Sequence, residues 1–160
     1  MIQITVISVG KIKEKYFLSA IEEYEKRLKR YASLNLIELK DEAVPESLSD
    51  AQKLSVLKKE GDKILEKIPL GAYVVALCVE GKEISSEELA DFVKNSALSG
   101  KSHLVFIIGG SLGLSDDVKK RADFKLSFSK MTFPHRLMKV ILLEQIYRAF
   151  TIIEGKTYHK

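Results

Sequence analysis

Short apolar runs alternate along the chain with longer amphipathic stretches. Five runs rich in β-branched and aromatic residues predict strands. They cover residues 2–9, 34–39, 73–79, 104–108 and 124–128. Apolar residues at helical spacing, or stretches that follow a helix-capping residue, predict five helices. These cover residues 14–31, 49–68, 85–98, 116–122 and 135–153.

Capping residues mark the starts of three of these helices. Ser49 with Gln52, and Ser85 with Glu88, each match the capping box. In that motif the first and fourth side chains bond reciprocally to each other's backbone N–H groups. Ser115 predicts a third N-cap, at a short helix.

The alternation of strands and helices predicts an α/β fold, with a mostly parallel sheet and helices on both faces. Residues 73–79 and 104–108 are apolar without alternation, as expected of central strands that are buried on both faces. A length of 160 residues leaves room for one domain, which we expect to span residues 1–160.

The last predicted helix has almost no polar face. Its apolar positions are Leu137, Met138, Val140, Ile141, Leu142, Leu143, Ile146, Tyr147, Ala149, Phe150, Ile152 and Ile153. A helix that is apolar nearly all round must be buried on more than one side. We therefore expect a homodimer with this helix in the interface. The alternative is a central helix in a monomer.

Composition and charge narrow the range of functions. The formal net charge of +4 favours a polyanionic partner, although many proteins are mildly basic. The single cysteine, Cys78, excludes an internal disulfide and lies in an apolar run, so we expect a buried thiol rather than a nucleophile. The histidines show no metal-ligand spacing, and no metal is expected.

The start of the chain predicts a strand rather than a signal peptide, because its lysines follow the apolar stretch. No apolar run approaches the roughly 20 residues that a membrane helix needs. We expect a cytoplasmic protein that does not contact a membrane.

Ligands of open α/β sheets bind beyond the carboxyl ends of the strands. Three segments fulfil this condition: 77–81, 109–115 and 128–134. Residues 109–113, Gly-Gly-Ser-Leu-Gly, match neither a dinucleotide fingerprint nor a P-loop, so a ligand-binding loop and a plain turn are both open.

Residues 127–135 combine two aromatic residues, three hydroxyls, a lysine and a histidine. Phe133 precedes Pro134, so its backbone should be extended and could read the edge of a purine. A well-packed connecting loop is the alternative. The C-terminal tail ends in Tyr158, His159 and Lys160, which would suit the closing of a site, although such tails are usually frayed.

Taken together, these motifs resemble the RlmH family over essentially the whole chain. The resemblance is carried by residues 104–114, 127–135, Glu-Gln-Ile-Tyr-Arg-Ala at 144–149, and the ending Tyr-His-Lys, with the opening 2–11 and Tyr-Glu-Lys-Arg-Leu at 24–28.

The resemblance implies a SPOUT methyltransferase with a C-terminal α/β trefoil knot, a feature nearly absent from other proteins. It implies a homodimer that uses S-adenosylmethionine as methyl donor. The expected reaction is methylation of N3 of pseudouridine 1915 in helix 69 of the 23S rRNA, on assembled ribosomes.

The family's site residues are carried over by matching position. Those implied to bind the methyl donor are Leu77, Gly109, Phe128, Ser129, Lys130, Met131, Thr132 and Phe133. Those implied on the substrate side, as catalytic residues, are His135, Arg148, Tyr158 and His159. Leu112 is given no role. Either histidine could accept the proton from N3, while Tyr158 or Arg148 could stabilise charge on the base.

Candidate contacts to RNA phosphates are Arg136, Lys139, Arg148, Lys156 and Lys160, and we expect at least half of them to be only solvated charges. Two other functions stay open. One is a non-catalytic RNA- or ribosome-binding factor on the same fold. The other is a small-molecule enzyme with a nucleotide or flavin in a flavodoxin-like sheet.

Overall fold

The computed structural model describes all 160 residues, and its ten elements alternate strictly. In chain order they are β1 (Ile2–Val9), α1 (Lys15–Leu28), β2 (Ala32–Leu39), α2 (Asp50–Lys67), β3 (Tyr73–Glu83), α3 (Ser86–Leu98), β4 (His103–Ile108), α4 (Asp116–Arg121), β5 (Phe124–Ser127) and α5 (His135–Ile153). The predicted number, type and order of the elements are confirmed.

The five strands form one sheet in the order β2-β1-β4-β3-β5, and every pair is parallel. One hydrophobic cluster joins one face of the sheet to α1, α3 and α5, and a second joins the other face to α2 and α4. The predicted α/β fold with helices on both faces is confirmed. β4 lies in the middle, and its residues Leu104–Ile107 are fully buried, as their unbroken apolar run predicted.

The predicted helix caps are confirmed. Ser49 and Ser85 each form the complete capping box with the residue three positions later. Ser115 Oγ accepts a hydrogen bond from the N–H of Val118 at the start of α4. Each cap satisfies one of the backbone N–H groups that the first turn of a helix leaves without a partner.

Two boundaries differ from the prediction near Tyr31. We expected α1 to continue to Tyr31, whose position fits the helical spacing, but the helix ends at Leu28. The Tyr31 ring instead stacks on Phe150 of α5, with centroids 5.4 Å apart. Ala32 then pairs with Ile2, so β2 begins two residues earlier than predicted.

The third strand is longer than predicted. We expected it to end at residue 79, but β3 continues to Glu83 after a register shift. Leu77 and Lys82 both pair with Leu126 of β5, so residues 78–81 bulge from the ladder. Glycine is required at position 81, where the bulge passes close to β5, because a Cβ there would lie 2.8 Å from the Lys125 carbonyl oxygen. A bulge of this kind redirects side chains at a sheet edge.

Helix α5 packs against α1, α3 and the sheet. Leu142, Leu143 and Ile146 are fully buried within the chain. The outward side keeps a partly exposed stripe that includes Leu137 and Ile141. The chain's own packing therefore covers most of the helix, and the stripe is what remains for another subunit. The homodimer and the trefoil knot stay predictions. No helix combines the length and hydrophobicity needed to cross a membrane.

Replacing Leu104 with alanine should lower the free energy of unfolding by about 2–5 kcal/mol, because it opens a cavity between two packed layers. The matched control is Leu70→Ala in the α2–β3 connection, where the side chain is 106% exposed and the expected change is below about 0.5 kcal/mol. Urea unfolding followed by circular dichroism at one protein concentration measures both. Equal losses would contradict the assignment of β4 to the centre of the core.

Candidate functional site

A cavity of about 770 Å³ opens at the carboxyl edge of β3, β4 and β5. Its volume lies within the range of roughly 300–1,000 Å³ that is usual for small-molecule sites. The bulge of β3, the glycine-rich loop after β4 and the segment after β5 form its walls. These are the three segments that the sequence singled out, and parallel pairing brings their ends to one edge.

Most of the residues implied to bind a methyl donor line this cavity. They are Leu77, Gly109, Phe128, Ser129, Met131, Thr132 and Phe133. Lys130 is exposed and does not line it. Leu112 lies on the wall, although no role was given to it.

The glycine-rich loop is a tight turn. The Gly113 N–H donates a hydrogen bond to the Gly110 carbonyl oxygen at 3.1 Å, and Gly113 has a φ of +84°. A Cβ on Gly109 would collide with the Gly113 carbonyl. The turn therefore requires glycine at positions 109 and 113. Because these residues have no side chain, their backbone is open to the cavity.

The segment after β5 has no regular structure and is held by local hydrogen bonds. Ser127 Oγ donates to the Ser129 carbonyl oxygen at 2.9 Å, and Ser129 Oγ accepts from the Met131 N–H at 3.0 Å. The N–H groups of Thr132 and Phe133 form no hydrogen bond within the chain. The segment thus presents free backbone donors at the cavity wall, which suits the recognition of a heteroaromatic ring edge.

His135 begins α5 and lines the same cavity. Its Nε2 atom is buried and forms no hydrogen bond. The ring lies against Gly10, where a Cβ would be 2.7 Å from Nε2, and Gly10 has a φ of +103°. Burial, and next the positive charge of Arg136, lower the pKa of His135 below its ordinary value. The neutral imidazole is therefore favoured, and it has a nitrogen that can accept a proton.

A second polar cluster lies at the other end of α5. Glu144 Oε1 accepts hydrogen bonds from Arg148 Nη2 at 2.6 Å, Arg148 Nε at 3.0 Å and Tyr158 Oη at 3.1 Å. The His159 ring lies between Arg148 Nη1, 3.1 Å from its Nδ1, and Glu87 Oε1, 2.7 Å from its Nε2. The C-terminal tail is thus tied to α5 and α3 rather than frayed.

Glu144 also controls the ionisation of its neighbour. Burial, followed by the hydrogen bond to Glu144, raises the pKa of Tyr158 to about 12. The phenol therefore stays protonated at neutral pH and is a hydrogen-bond donor. The Arg148 guanidinium lies 4.8 Å from the Tyr158 ring centroid, a cation–π contact that holds both side chains in place.

The structure does not bring the four substrate-side candidates together within one chain. His135 and Arg148 are 13 positions apart on α5, which corresponds to about 20 Å along a helix. His135 lies in the cavity, whereas Arg148, Tyr158 and His159 form the separate cluster around Glu144.

Comparison with known proteins identifies the family. A family model described as "Predicted SPOUT methyltransferase" matches residues 2–159. The chain belongs to the SPOUT methyltransferase family.

Two relatives refine this assignment. Both are named ribosomal RNA large subunit methyltransferase H. The protein of Alkaliphilus oremlandii is 61% identical over 157 residues, which is 98% of this chain and 99% of the relative. That of Carboxydothermus hydrogenoformans is 58% identical over 158 residues, with 99% of each chain covered. These matches confirm the resemblance to the RlmH family.

A solved structure supports the fold of this SPOUT protein. It is described as a probable methylase family protein from Haemophilus influenzae Rd KW20. Its TM-score is 0.56 at 12% sequence identity, and the match covers 98% of this chain and 70% of the other.

Three further residues line the cavity, and sequence analysis assigned none of them a role in a site. Glu80 and Lys119 both line it and form a salt bridge of 2.5 Å between the β3 bulge and α4. The hydrogen bond to Lys119 lowers the pKa of Glu80. Cys78 lines it too, only half-buried, and burial raises its pKa, which favours the thiol. Cys78 and Glu80 lie in the segment 77–81 that the sequence singled out, whereas no sequence signal marked Lys119 in α4.

One expectation about RNA contacts is wrong. Lys139 is 2% exposed, and its Nζ lies 3.4 Å from Glu38 Oε2. Its position on α5 faces inward, so it cannot meet a phosphate. Arg136 pairs with Glu14 at 3.1 Å, although it keeps part of its surface exposed.

The His135 imidazole should titrate below its ordinary pKa of about 6.5. Because the pKa is lower in the folded than in the unfolded chain, His135 contributes stability above the unfolded value. That contribution is lost as the pH falls through the folded value. NMR of the ring protons against pH measures the folded midpoint, and the same titration in urea provides the matched reference. A folded midpoint at or above the urea value would contradict the burial of the ring.

Proposed function

We propose that this protein uses S-adenosylmethionine to methylate N3 of a pseudouridine in helix 69 of 23S rRNA, on assembled ribosomes. The observation that carries the proposal is the convergence of the β3 bulge, the glycine-rich loop and the segment after β5 on one cavity beside a neutral His135. Relatives about 60% identical over the full chain, which are named ribosomal RNA large subunit methyltransferase H, support the choice of substrate.

The cavity suits a nucleoside-like methyl donor. Leu77 and Phe128 supply apolar wall, and Gly109 lets a ligand approach the backbone closely. The free N–H groups of Thr132 and Phe133 can hydrogen-bond the edge of an adenine ring. When bound, the donor supplies an electrophilic methyl group on its sulfonium centre. The chain's own contribution is to position the two reactants and to exclude water.

Methylation of N3 requires the loss of its proton. We assign different parts of this step to His135 and to the cluster around Glu144. His135 is favoured in its neutral form, but its unpartnered Nε2 is buried against Gly10, so acceptance of the proton falls to the other ring nitrogen, Nδ1. Arg148 and Tyr158 stay protonated at neutral pH and donate to Glu144, so they are suited to stabilise negative charge on the base once the nucleotide takes the place of Glu144 as their acceptor. These two roles require His135 and the Glu144 cluster to contact the same nucleotide.

A homodimer through α5 would bring the two groups together. A two-fold interface pairs the same surface of both subunits. In such a dimer the two α5 helices would run antiparallel and cross at Ile141, which is midway between His135 and Arg148. The cavity of each subunit would then lie beside the partner's Arg148 and the partner's Tyr158. The partly exposed Leu137 and Val140 would then be covered. Each complete site would take its cavity and His135 from one subunit and its Glu144 cluster from the other.

Isothermal titration should detect binding of S-adenosylmethionine to the purified protein. Mass mapping of rRNA from cells that lack the protein should then show a helix 69 pseudouridine without its methyl group. Restoring the wild-type gene provides the control. Absence of binding would favour a non-catalytic ribosome-binding factor, and a methyl group that persists in the deletion strain would remove the proposed target.

A mixture of two inactive variants should recover activity if the site is shared between subunits. His135→Ala and Arg148→Ala each remove one half of the composite site. After subunit exchange at equal concentrations, half of the dimers are mixed and each has one intact site. Activity should therefore return to about a quarter of the wild-type value. The matched control is a mixture of Arg148→Ala with Tyr158→Phe, which lie in the same cluster and cannot complement in this way. No recovery in the first mixture would show that the site lies within one chain.

A further inference from the structure

The β1–α1 connection carries a group of cations that neither the cavity nor the Glu144 cluster uses. We name residues 10–15, Gly-Lys-Ile-Lys-Glu-Lys, the lysine loop. It leaves the sheet at the same carboxyl edge as the cavity, and its first residue, Gly10, touches the ring of His135. The loop is therefore adjacent to the proposed reaction centre.

Three contacts fix the lysine loop on the start of α5 and the end of β2. Gly10 lies against His135, with no space for a side chain between them. Ile12 is only 6% exposed, and its N–H donates to Glu38 Oε2 at 3.2 Å. Glu14 Oε1 forms a salt bridge of 3.1 Å with Arg136. The backbone of the loop is thus held in one position relative to the cavity.

The lysine side chains of this loop take no part in these anchoring contacts. Lys11, Lys13 and Lys15 are exposed, and none of them forms a salt bridge. The two nearest anchoring carboxylates are already engaged, Glu14 with Arg136 and Glu38 with Lys139. Their negative charge is therefore largely used by other cations. The three lysines are left as unpaired positive charges.

Lys15 also has an unfavourable position at the N-terminus of a helix. It is the first residue of α1, whose first turn contains no acidic residue and whose N-cap, Glu14, is already paired with Arg136. The N-terminus of a helix carries partial positive charge and favours anions, so a lysine there is unfavourable for the isolated protein. Together, the helix terminus and the lysines form a positive surface with a rigid backbone beneath it.

We propose that the lysine loop binds RNA phosphates next to the nucleotide that enters the site. The inference rests on the proposed function, because it places an RNA strand beside His135. Charge complementarity favours this occupant: phosphates are closely spaced anions, and their neutralisation by lysine releases condensed counterions. Because phosphates are the same at every nucleotide, such a contact positions the strand without reading its sequence.

The test replaces the three lysines with glutamine, as Lys11→Gln, Lys13→Gln and Lys15→Gln in one chain. The matched control makes the same change in charge on α2, which packs on the opposite face of the sheet, as Lys53→Gln, Lys59→Gln and Lys67→Gln. All three control lysines are exposed and form no salt bridge. Binding to purified assembled ribosomes, and to protein-free large-subunit rRNA, is measured over a range of salt concentrations.

The loop variant should bind both RNA targets about tenfold more weakly or worse, with a salt dependence of log K reduced by about 2–3. Its KM for assembled ribosomes should rise with kcat unchanged, because the lost contacts act on ground state and transition state alike. The control variant should change much less in both respects. Unfolding in urea should show the loop variant to be at least as stable as the wild type, since a cation has left the helix N-terminus.

Three outcomes would overturn the proposal. The two triple variants could lose affinity equally, the salt dependence of the loop variant could match the wild type, or the loss could appear on assembled ribosomes and not on protein-free rRNA. The last would assign the loop to a ribosomal protein. Titration with S-adenosylmethionine separates these results from a failure of the proposed function, because donor binding should be the same in all variants.

Discussion

Parallel strand pairing decides where chemistry can occur in this chain. Because all five strands run in one direction, the connections that follow β1, β3, β4 and β5 leave the sheet at the same edge. Three of them enclose the cavity, and the fourth supplies Gly10 against the ring of His135. The buried core strands are therefore as important to the site as the polar residues, since they fix the distance between loops that are remote in sequence.

Helix α5 imposes the second constraint, because it is a rigid rod with a different chemistry at each end. Its first turn carries His135 into the cavity, and its last turns carry the cluster around Glu144. No side-chain rotation closes a gap of about 20 Å. Under the proposed function, one copy of the chain therefore carries two half-sites that cannot meet, and the partly exposed stripe between them is the surface through which a second copy would supply the missing half.

Much of the fold could be predicted from the sequence because local patterns and tertiary packing agree. Helices begin where the capping boxes at Ser49 and Ser85 predict them, and the apolar run of β4 forms the buried strand that its pattern predicts. Prediction failed where a long-range contact overrode a local pattern. Tyr31 fits helical spacing but stacks on Phe150, and residues 80–83 look like a loop but pair with β5 after a bulge. No local signal encodes a partner more than forty residues away.

Long-range contacts also explain why the positions of basic residues in the sequence were a poor guide to the RNA-binding surface. Lys139 was expected to meet RNA, but its helix position faces inward, where Glu38 neutralises it. Arg148 is neutralised by Glu144 within its own helix. By contrast, the lysines at 11, 13 and 15 were given no role from the sequence, and they are exposed and unpaired at the edge of the sheet that carries the cavity. What a cation can bind depends on which carboxylates the fold places beside it, and a net charge of +4 contains no such information. The pairing of charges within the fold is therefore the property from which an RNA-binding surface can be inferred.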